Sequence, residues 1–352
     1  MNSEKTYIHH SLFTIHHYWR MWAIWLLLAV AVFFLCMMVA SEVKGFGFNW
    51  PAKEIRQFRI DRILGAAVVG FALAAAGVTL QALLRNPLAD PYILGISSGS
   101  SVGVMAWMLL AGIWKGEGVL RWLLEKGQIG PAVAGAVLTC LLVFVLARPR
   151  KGAGGGGMDR LTLLLVGVVV SAINGAILMV LNWLAPQGVK SNLITYMMGA
   201  ISNDTKPLTF WLATAVIALG YLPILLSARA LNVGSLSDVE ATSMGVNVAK
   251  LRTLCFISAS VMTGAAIILS GPIGFVGLIC PHITRSLVGA DHRKLTVAAP
   301  FCGAIFLMIA DTLVRGSSGC FYLGELPVGV ITALCGGPFF LILLHNRRGG
   351  GL

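Results

Sequence analysis

Residues 85–103 read RNPLADPYILGISSGSSVG, an arginine, two prolines and an aspartate followed by four serines set among glycines. Apolar runs lie on both sides, at 63–84 and 104–113. Pro87 and Pro91 bracket Ala89-Asp90. Proline lacks an amide hydrogen and pushes the preceding residue out of the α region, so the chain turns here and no single helix crosses the segment. Beyond the turn, Gly95, Ser97, Ser98, Gly99, Ser100, Ser101 and Gly103 form one small-residue surface on the next helix. In lipid, small residues let helix backbones approach closely, with serine hydroxyls available for bonds between helices. The stretch reads as the junction of two helices in a compact membrane bundle.

The rest of the chain agrees. Of 352 residues 57% are hydrophobic and 11% charged, where a soluble domain carries about 25% charged residues. A helix needs roughly 20 mostly apolar residues to cross a bilayer. Ten runs qualify: 21–41, 63–84, 93–113, 129–147, 161–185, 208–228, 253–270, 273–289, 296–314 and 327–344. Only Gly271-Pro272 divides the seventh from the eighth, so the count is nine or ten. The expected fold is an all-α integral membrane protein of about ten helices, some short or broken. It is expected to form one transmembrane domain over 1–352, with a leader at 1–20. The first run is longer than the 7–15 residues of a secretory signal core and is read as a retained span. The seven cysteines are scattered without paired spacing and read as small apolar packing residues.

Basic residues suggest an orientation. With a cytoplasmic N-terminus and ten spans, the loops after spans four, six and eight and the C-terminal tail are all basic on the inside, as the positive-inside rule expects. Both termini are then cytoplasmic. The net charge of +12 is mainly this topology signal, and without a basic soluble domain no nucleic-acid partner is expected. Five basic residues oppose the trend in one outside segment: Lys44, Lys53, Arg56, Arg59 and Arg62. Interfacial snorkelling alone would account for them.

Loop chemistry narrows the function. In 148–160, Gly152 and Gly157 have the spacing of a phosphate-binding loop, but Met158 and Asp159 stand where Lys and Ser/Thr are required. A flexible linker is the better reading, and any ATP used must be bound by another chain. In the inside loop 229–252, Ser237 and Glu240 form an S-x-x-E capping box, and Gly245 sits where a left-handed C-cap is expected. A capped helix of about two turns outside the membrane suits either a plain re-entry loop or a docking knob for a cytoplasmic partner. In 271–289, Gly271-Pro272 breaks the helix and Pro281 kinks it before His282. Cys280 and His282 lack the further ligands a metal site needs, so no metal is expected.

Four stretches together, QALLRNPLADPYILGISSGSSVG, GPIGFVGLICPHITR, ADTLVR and GELPVGVITALCGGPFF, resemble the signature segments of one family. It is the permease family of ABC importers for iron-siderophore complexes, haem and cobalamin. The likeness runs from about residue 56 to 345 in the family's order. Within these segments Asn86, Pro87, Pro91, Gly95, Pro281, His282, Arg285, Asp311 and Glu325 are the motif positions.

The resemblance implies a type II ABC importer permease fold in a bacterial cytoplasmic (inner) membrane, paired with a second copy or a paralogue. ABC ATPase subunits using ATP and Mg would bind below and an extracytoplasmic substrate-binding protein above, with no cofactor held by this chain and no bond chemistry done by it. The helix at 238–245 falls where the family places its coupling helix, making Asp238, Glu240, Ala241, Met244 and Gly245 the ATPase-coupling candidates. Arg59, Arg62 and Arg315, with Arg56 added, match the family's arginines that meet glutamates of the binding protein. The family usually has proline before the second paired arginine. Asp61 stands there instead and is expected to pair with Arg62 or Arg59.

Polar residues within spans complete the candidates. Asn174 and Asn182 are eight apart on the fifth span with Ser171 near the same face. Either they line the family's pathway or they form hydrogen bonds between helices. Asp311 is expected to make a structural bond near Arg315, and Glu325 to brace the tenth helix. In the leader, His9 and His16, and His10 and His17, are seven apart, which suits an interfacial amphipathic helix. The competing class is an ion-driven secondary transporter working without an ATPase, which would favour paired carboxylates at the membrane midplane. A membrane enzyme finds no nucleophile-base set.

Overall fold

A computed structural model of the chain describes residues 2–42, 45–114, 127–147, 160–186, 196–201, 206–321 and 326–349. Twelve helices and one hairpin follow in order: α1 Asn2–Met38, β1 Val39–Glu42, β2 Gly45–Phe48, α2 Lys53–Leu84, α3 Ile96–Ile113, α4 Ile129–Leu146, α5 Arg160–Leu184, α6 Pro207–Leu226, α7 Ala228–Gly234, α8 Asp238–Ser243, α9 Val248–Ser270, α10 Val276–Val288, α11 His292–Phe321 and α12 Val328–Gly349. Eight are long and apolar enough to cross a membrane, and two shorter apolar helices, Val276–Val288 and Val328–Leu343, correspond to the eighth and tenth expected runs. The Gly271-Pro272 break separates α9 from α10 as the sequence implied, with Gly271 at φ +65.

Two features depart from the sequence reading. The segment before the second span contains the antiparallel hairpin β1–β2, in register Val39↔Phe48. Its GFGF strand is too short and too rich in glycine to announce itself as a strand. The helix α2 also begins at Lys53, ten residues before its apolar run, carrying Arg56, Arg59 and Arg62 on its first turns.

The centre of the bundle is α2, most of which is buried. It packs against α11, α9 and α10, while α3 packs on α4 and α1 lies along α11. These contacts are made by missing side chains. A Cβ on Gly70 would run into the carbonyl of Gly303 on α11, one on Gly77 into that of Gly277 on α10, and one on Gly103 into Pro131 on α4. The Ser-Gly face serves the same purpose: Gly99 abuts Thr139 and Gly135 of α4, and Ser100 Oγ donates to the Gly264 carbonyl of α9 at 3.5 Å.

The turn before this face is closed by its own polar groups. Asn86 Oδ1 accepts from the Leu88 amide at 3.0 Å, and Asp90 Oδ1 from that of Tyr92 at 2.7 Å. The Pro91 carbonyl accepts from Ile96 at 3.1 Å. Gly95 opens α3 at φ +79 with Gly167 and Ser171 of α5 close by, so the left-handed backbone and the close approach both require glycine.

Candidate functional site

The candidates separate to opposite ends of α2. At its C-terminal end lies α8. Ser237 Oγ accepts from the Glu240 amide at 3.1 Å, and Glu240 Oε2 accepts from the Ser237 amide at 2.9 Å, a complete capping box. At the other terminus Gly245 adopts φ +84. Its amide donates to Thr242 O at 2.9 Å and that of Val246 to Ala241 O at 3.0 Å, the paired bonds of a Schellman cap. Six residues is far below the length at which a helix is stable alone, so both caps and anchoring define it.

The anchor is ionic. Asp238 accepts from Arg85 Nη2 at 2.7 Å and from Arg252 Nη2 at 2.7 Å, while Arg85 Nε donates to the Gly234 carbonyl at 3.0 Å. Burial raises the Asp238 carboxyl, but the Arg252 and Arg85 guanidiniums outweigh it and hold the group below the usual carboxylate value. Glu240 is also held low, chiefly by its bonds to Ser237. A second tie runs from α7 to α11: Asn232 Nδ2 donates to Asp291 at 2.7 Å, and Asn232 Oδ1 accepts from the His292 amide at 2.7 Å.

These bonds sort the five candidates. Ala241 is fully buried and seats α8 on the chain, and Asp238 is engaged by the two arginines. Glu240, Met244 and Gly245 are exposed. Val239, 81% exposed, Met244, 62% exposed, and Leu236 are exposed apolar side chains on α8 and its approach. Sequence reading missed Val239 because a valine in a loop carries no signal. It missed Arg85 because that residue is 153 positions from its partner Asp238.

At the hairpin end, Arg62 Nε donates to both oxygens of Asp311, at 3.1 and 2.9 Å, with side chains 7% and 1% exposed. Arg59 donates to the Met37 carbonyl at 2.7 Å and Arg315 to that of Cys36 at 2.9 Å, drawing the end of α1 onto α2 and α11. One pairing differs from expectation. Asp61 accepts from Gln57 one turn earlier, at 2.9 Å, because it points outward from α2 while Arg62 points in. Asp311 makes a buried structural bond, to Arg62, with Arg315 near enough for the charges to act on each other. Arg56 and Arg59 are half-buried. Around them Phe48, Trp50, Ile55 and Phe58 are exposed.

Of the polar residues on α5, Asn174 is buried and donates to Ser98 on α3 at 3.1 Å, a bond between helices. Ser171 Oγ donates to Gly167 O of its own helix at 2.8 Å. Asn182 Oδ1 is buried and has no hydrogen-bond partner among the described residues. Asn174 and Thr139 also line a cavity of about 370 Å³ between α3, α4 and α5. His282 packs edge-on against Phe339 of α12, with ring centres 5.4 Å apart. Arg285 lies in the last turn of α10, where a cation suits the helix dipole. Glu325, the 152–157 loop and part of the segment before α6 lie outside the described residues, and of the leader only the helical backbone is described.

The chain is similar to proteins of one transport family. Residues 21–346 fit the model of the FecCD transport family. The chain is 37% identical over 298 residues to a hemin transport system permease protein of Yersinia pestis, covering 82% of each. It is 34% identical over 348 residues to a vitamin B12 import system permease protein of Klebsiella pneumoniae, covering 94% of this chain and 96% of the relative. A probable iron chelatin transport system permease protein of Helicobacter pylori is 34% identical over 295 residues, covering 84% and 83%. The fold matches a solved metal-chelate type ABC transporter in an inward-facing conformation, with TM-score 0.72, 27% identity, and 93% and 99% of the two chains covered. With eight candidate spans, a capped helix at one end and this breadth of likeness, the chain is an ABC transporter permease and belongs to the FecCD transport family.

Proposed function

We propose that the chain is the membrane-spanning subunit of an ATP-driven importer that carries an iron chelate, haem or cobalamin into the cytoplasm, with a separate ATPase and an extracytoplasmic binding protein. The observation that carries this reading is α8: a doubly capped helix, braced by two arginines, that presents Val239 and Met244 to solvent. A re-entry loop gains nothing from exposed apolar side chains on a short capped helix, whereas a partner's groove would bury them. The α8 end is then cytoplasmic and the hairpin end faces outward. There Arg56, Arg59 and Arg315 are the arginines placed to steer an acidic partner, and the buried Arg62 orders their surroundings. Asn182, with its unpartnered oxygen, is the α5 residue best suited to a wet pathway, and the broad exposed apolar face of α5, including Val169, Ile173 and Val180, suits a second permease subunit.

The ion-driven alternative would favour paired carboxylates at the membrane midplane, whereas Asp311 is engaged by Arg62 near the hairpin end and Asp90 lies in the turn between α2 and α3, where one of its oxygens accepts from the Tyr92 amide. The test is co-expression of the tagged chain with its genomic neighbours and purification in detergent. Recovery of a stoichiometric ATPase, lost on Val239→Glu/Met244→Glu, is the expected outcome. A chain that purifies alone and transports in liposomes on an ion gradient would overturn the reading.

A further inference from the structure

The loop bearing α8 is covalently joined to α6 through α7 and to α9 beyond it. Movement of a partner bound to α8 would be expected to enter the bundle along those two helices. The bonding at α8 provides another route. Arg85 ends α2 in a left-handed conformation, φ 46, that a non-glycine residue seldom adopts. From there its guanidinium reaches across to the preceding short helix through Nε, at Gly234 O, and to the first residue of α8 through Nη2, at Asp238 Oδ1. Two bonds from different nitrogens of one planar group fix direction as well as distance, which a lysine cannot do.

The helix so gripped is buried along most of its length. Close glycine contacts at Gly70–Gly303 and Gly77–Gly277 join α2 to α11 and α10, and the far end of α2 is closed by the buried Arg62–Asp311 pair. From Arg85 to Arg62 the helix runs roughly 35 Å at about 1.5 Å per residue. Interfaces packed this closely shift as bodies and do not deform continuously.

We infer that Arg85 is a positioning residue that makes α8 move as one body with α2, so that displacement of α8 reaches the hairpin end through a helix to which the loop is not covalently joined. The inference rests on the proposed importer reading. Arg252 supplies the internal control. It grips the same carboxylate at the same 2.7 Å and is about as buried, but it belongs to α9, which already follows the loop in sequence. Each arginine makes two bonds here, Arg85 to Asp238 Oδ1 and Gly234 O and Arg252 to both oxygens of Asp238, so a purely structural role makes their losses comparable, whereas transmission through α2 does not.

The experiment uses the complex of the full chain with its co-purified ATPase in lipid nanodiscs. It measures the ratio of ATP hydrolysis with and without the binding protein for wild type, Arg85→Ala, Arg85→Lys and Arg252→Ala, alongside melting temperature and subunit stoichiometry. Allosteric couplings span about 5- to 150-fold. Arg85→Ala is therefore expected to lower the ratio at least about fivefold, Arg252→Ala less than about twofold and Arg85→Lys to an intermediate value, with similar losses of melting temperature in the two alanine variants. Equal losses of the ratio in Arg85→Ala and Arg252→Ala, or a wild-type ratio in Arg85→Ala, overturn the inference. If Arg85→Ala yields no folded complex, a wild-type ratio in Arg85→Lys overturns it. A wild-type chain that recovers no ATPase overturns the importer reading, and this inference with it.

Discussion

Asp311→Asn is the sharpest perturbation of the hairpin end. The substitution keeps the shape of the side chain and removes one charge from a pair whose members are 7% and 1% exposed and meet at 2.9 and 3.1 Å. Removing one partner of a buried pair costs about 3–5 kcal/mol, because the remaining charge is left without its counter-ion in a poorly solvated site. The asparagine oxygen still accepts from Arg62, so the lower end of that range, about 3 kcal/mol, is expected. The loss also falls on Arg59, Arg62 and Arg315 together, since their charges already act on one another around Asp311. Replacing both members, as Arg62→Met with Asp311→Leu, removes the desolvated charges altogether and should recover most of the loss. Unfolding in mixed detergent, followed by tryptophan fluorescence, would measure all three proteins. A single variant as stable as wild type, or a double variant less stable than the single, would refute the account of this cluster as a buried ion pair.

Other consequences follow from the caps and the glycine contacts. Ser237→Ala removes the side-chain oxygen that caps α8 and should cost about 1 kcal/mol locally, read as faster amide exchange at Glu240 with the rest of the bundle unchanged. Gly303→Leu should abolish folded protein, because its side chain would occupy the position of the Gly70 backbone. Gly175→Ala on α5, with open space around it, should be neutral or stabilising by about 0.5–1 kcal/mol, and detergent-resistant yield separates the two outcomes. The Asp238 carboxyl is held low in the folded chain, so its stabilising effect is complete above the unfolded value of about 3.9 and is lost as pH falls through the lower folded value. Melting curves of wild type and Asp238→Asn should therefore differ at neutral pH and converge once the pH falls below the lowered folded value.

Much of the bundle is legible in the sequence because its cause is local. A run of apolar residues must become a helix in lipid, since only helical bonding satisfies its backbone there, and the spans from α1 to α12 follow from that alone. Caps are equally local: Ser237, Glu240 and Gly245 act within one stretch of chain, so α8 is readable from its letters. The Pro87–Pro91 turn and the Gly271-Pro272 break belong to the same class.

What tertiary structure decided is which distant groups meet. Asp311 chose Arg62, 249 residues away, and Asp238 chose Arg85, 153 away. No spacing rule reaches across such intervals. The direction of a side chain around α2, inward for Arg62 and outward for Asp61, depends on which neighbours close over the helix. Ala241 and Val239 sit two residues apart with opposite exposure, because a six-residue helix acquires an inner and an outer face only when it docks. Composition and local backbone chemistry determine that this chain is a bundle of membrane helices with a capped helix outside it. Long-range packing alone determines which charges are buried as pairs and which remain at the surface for a partner.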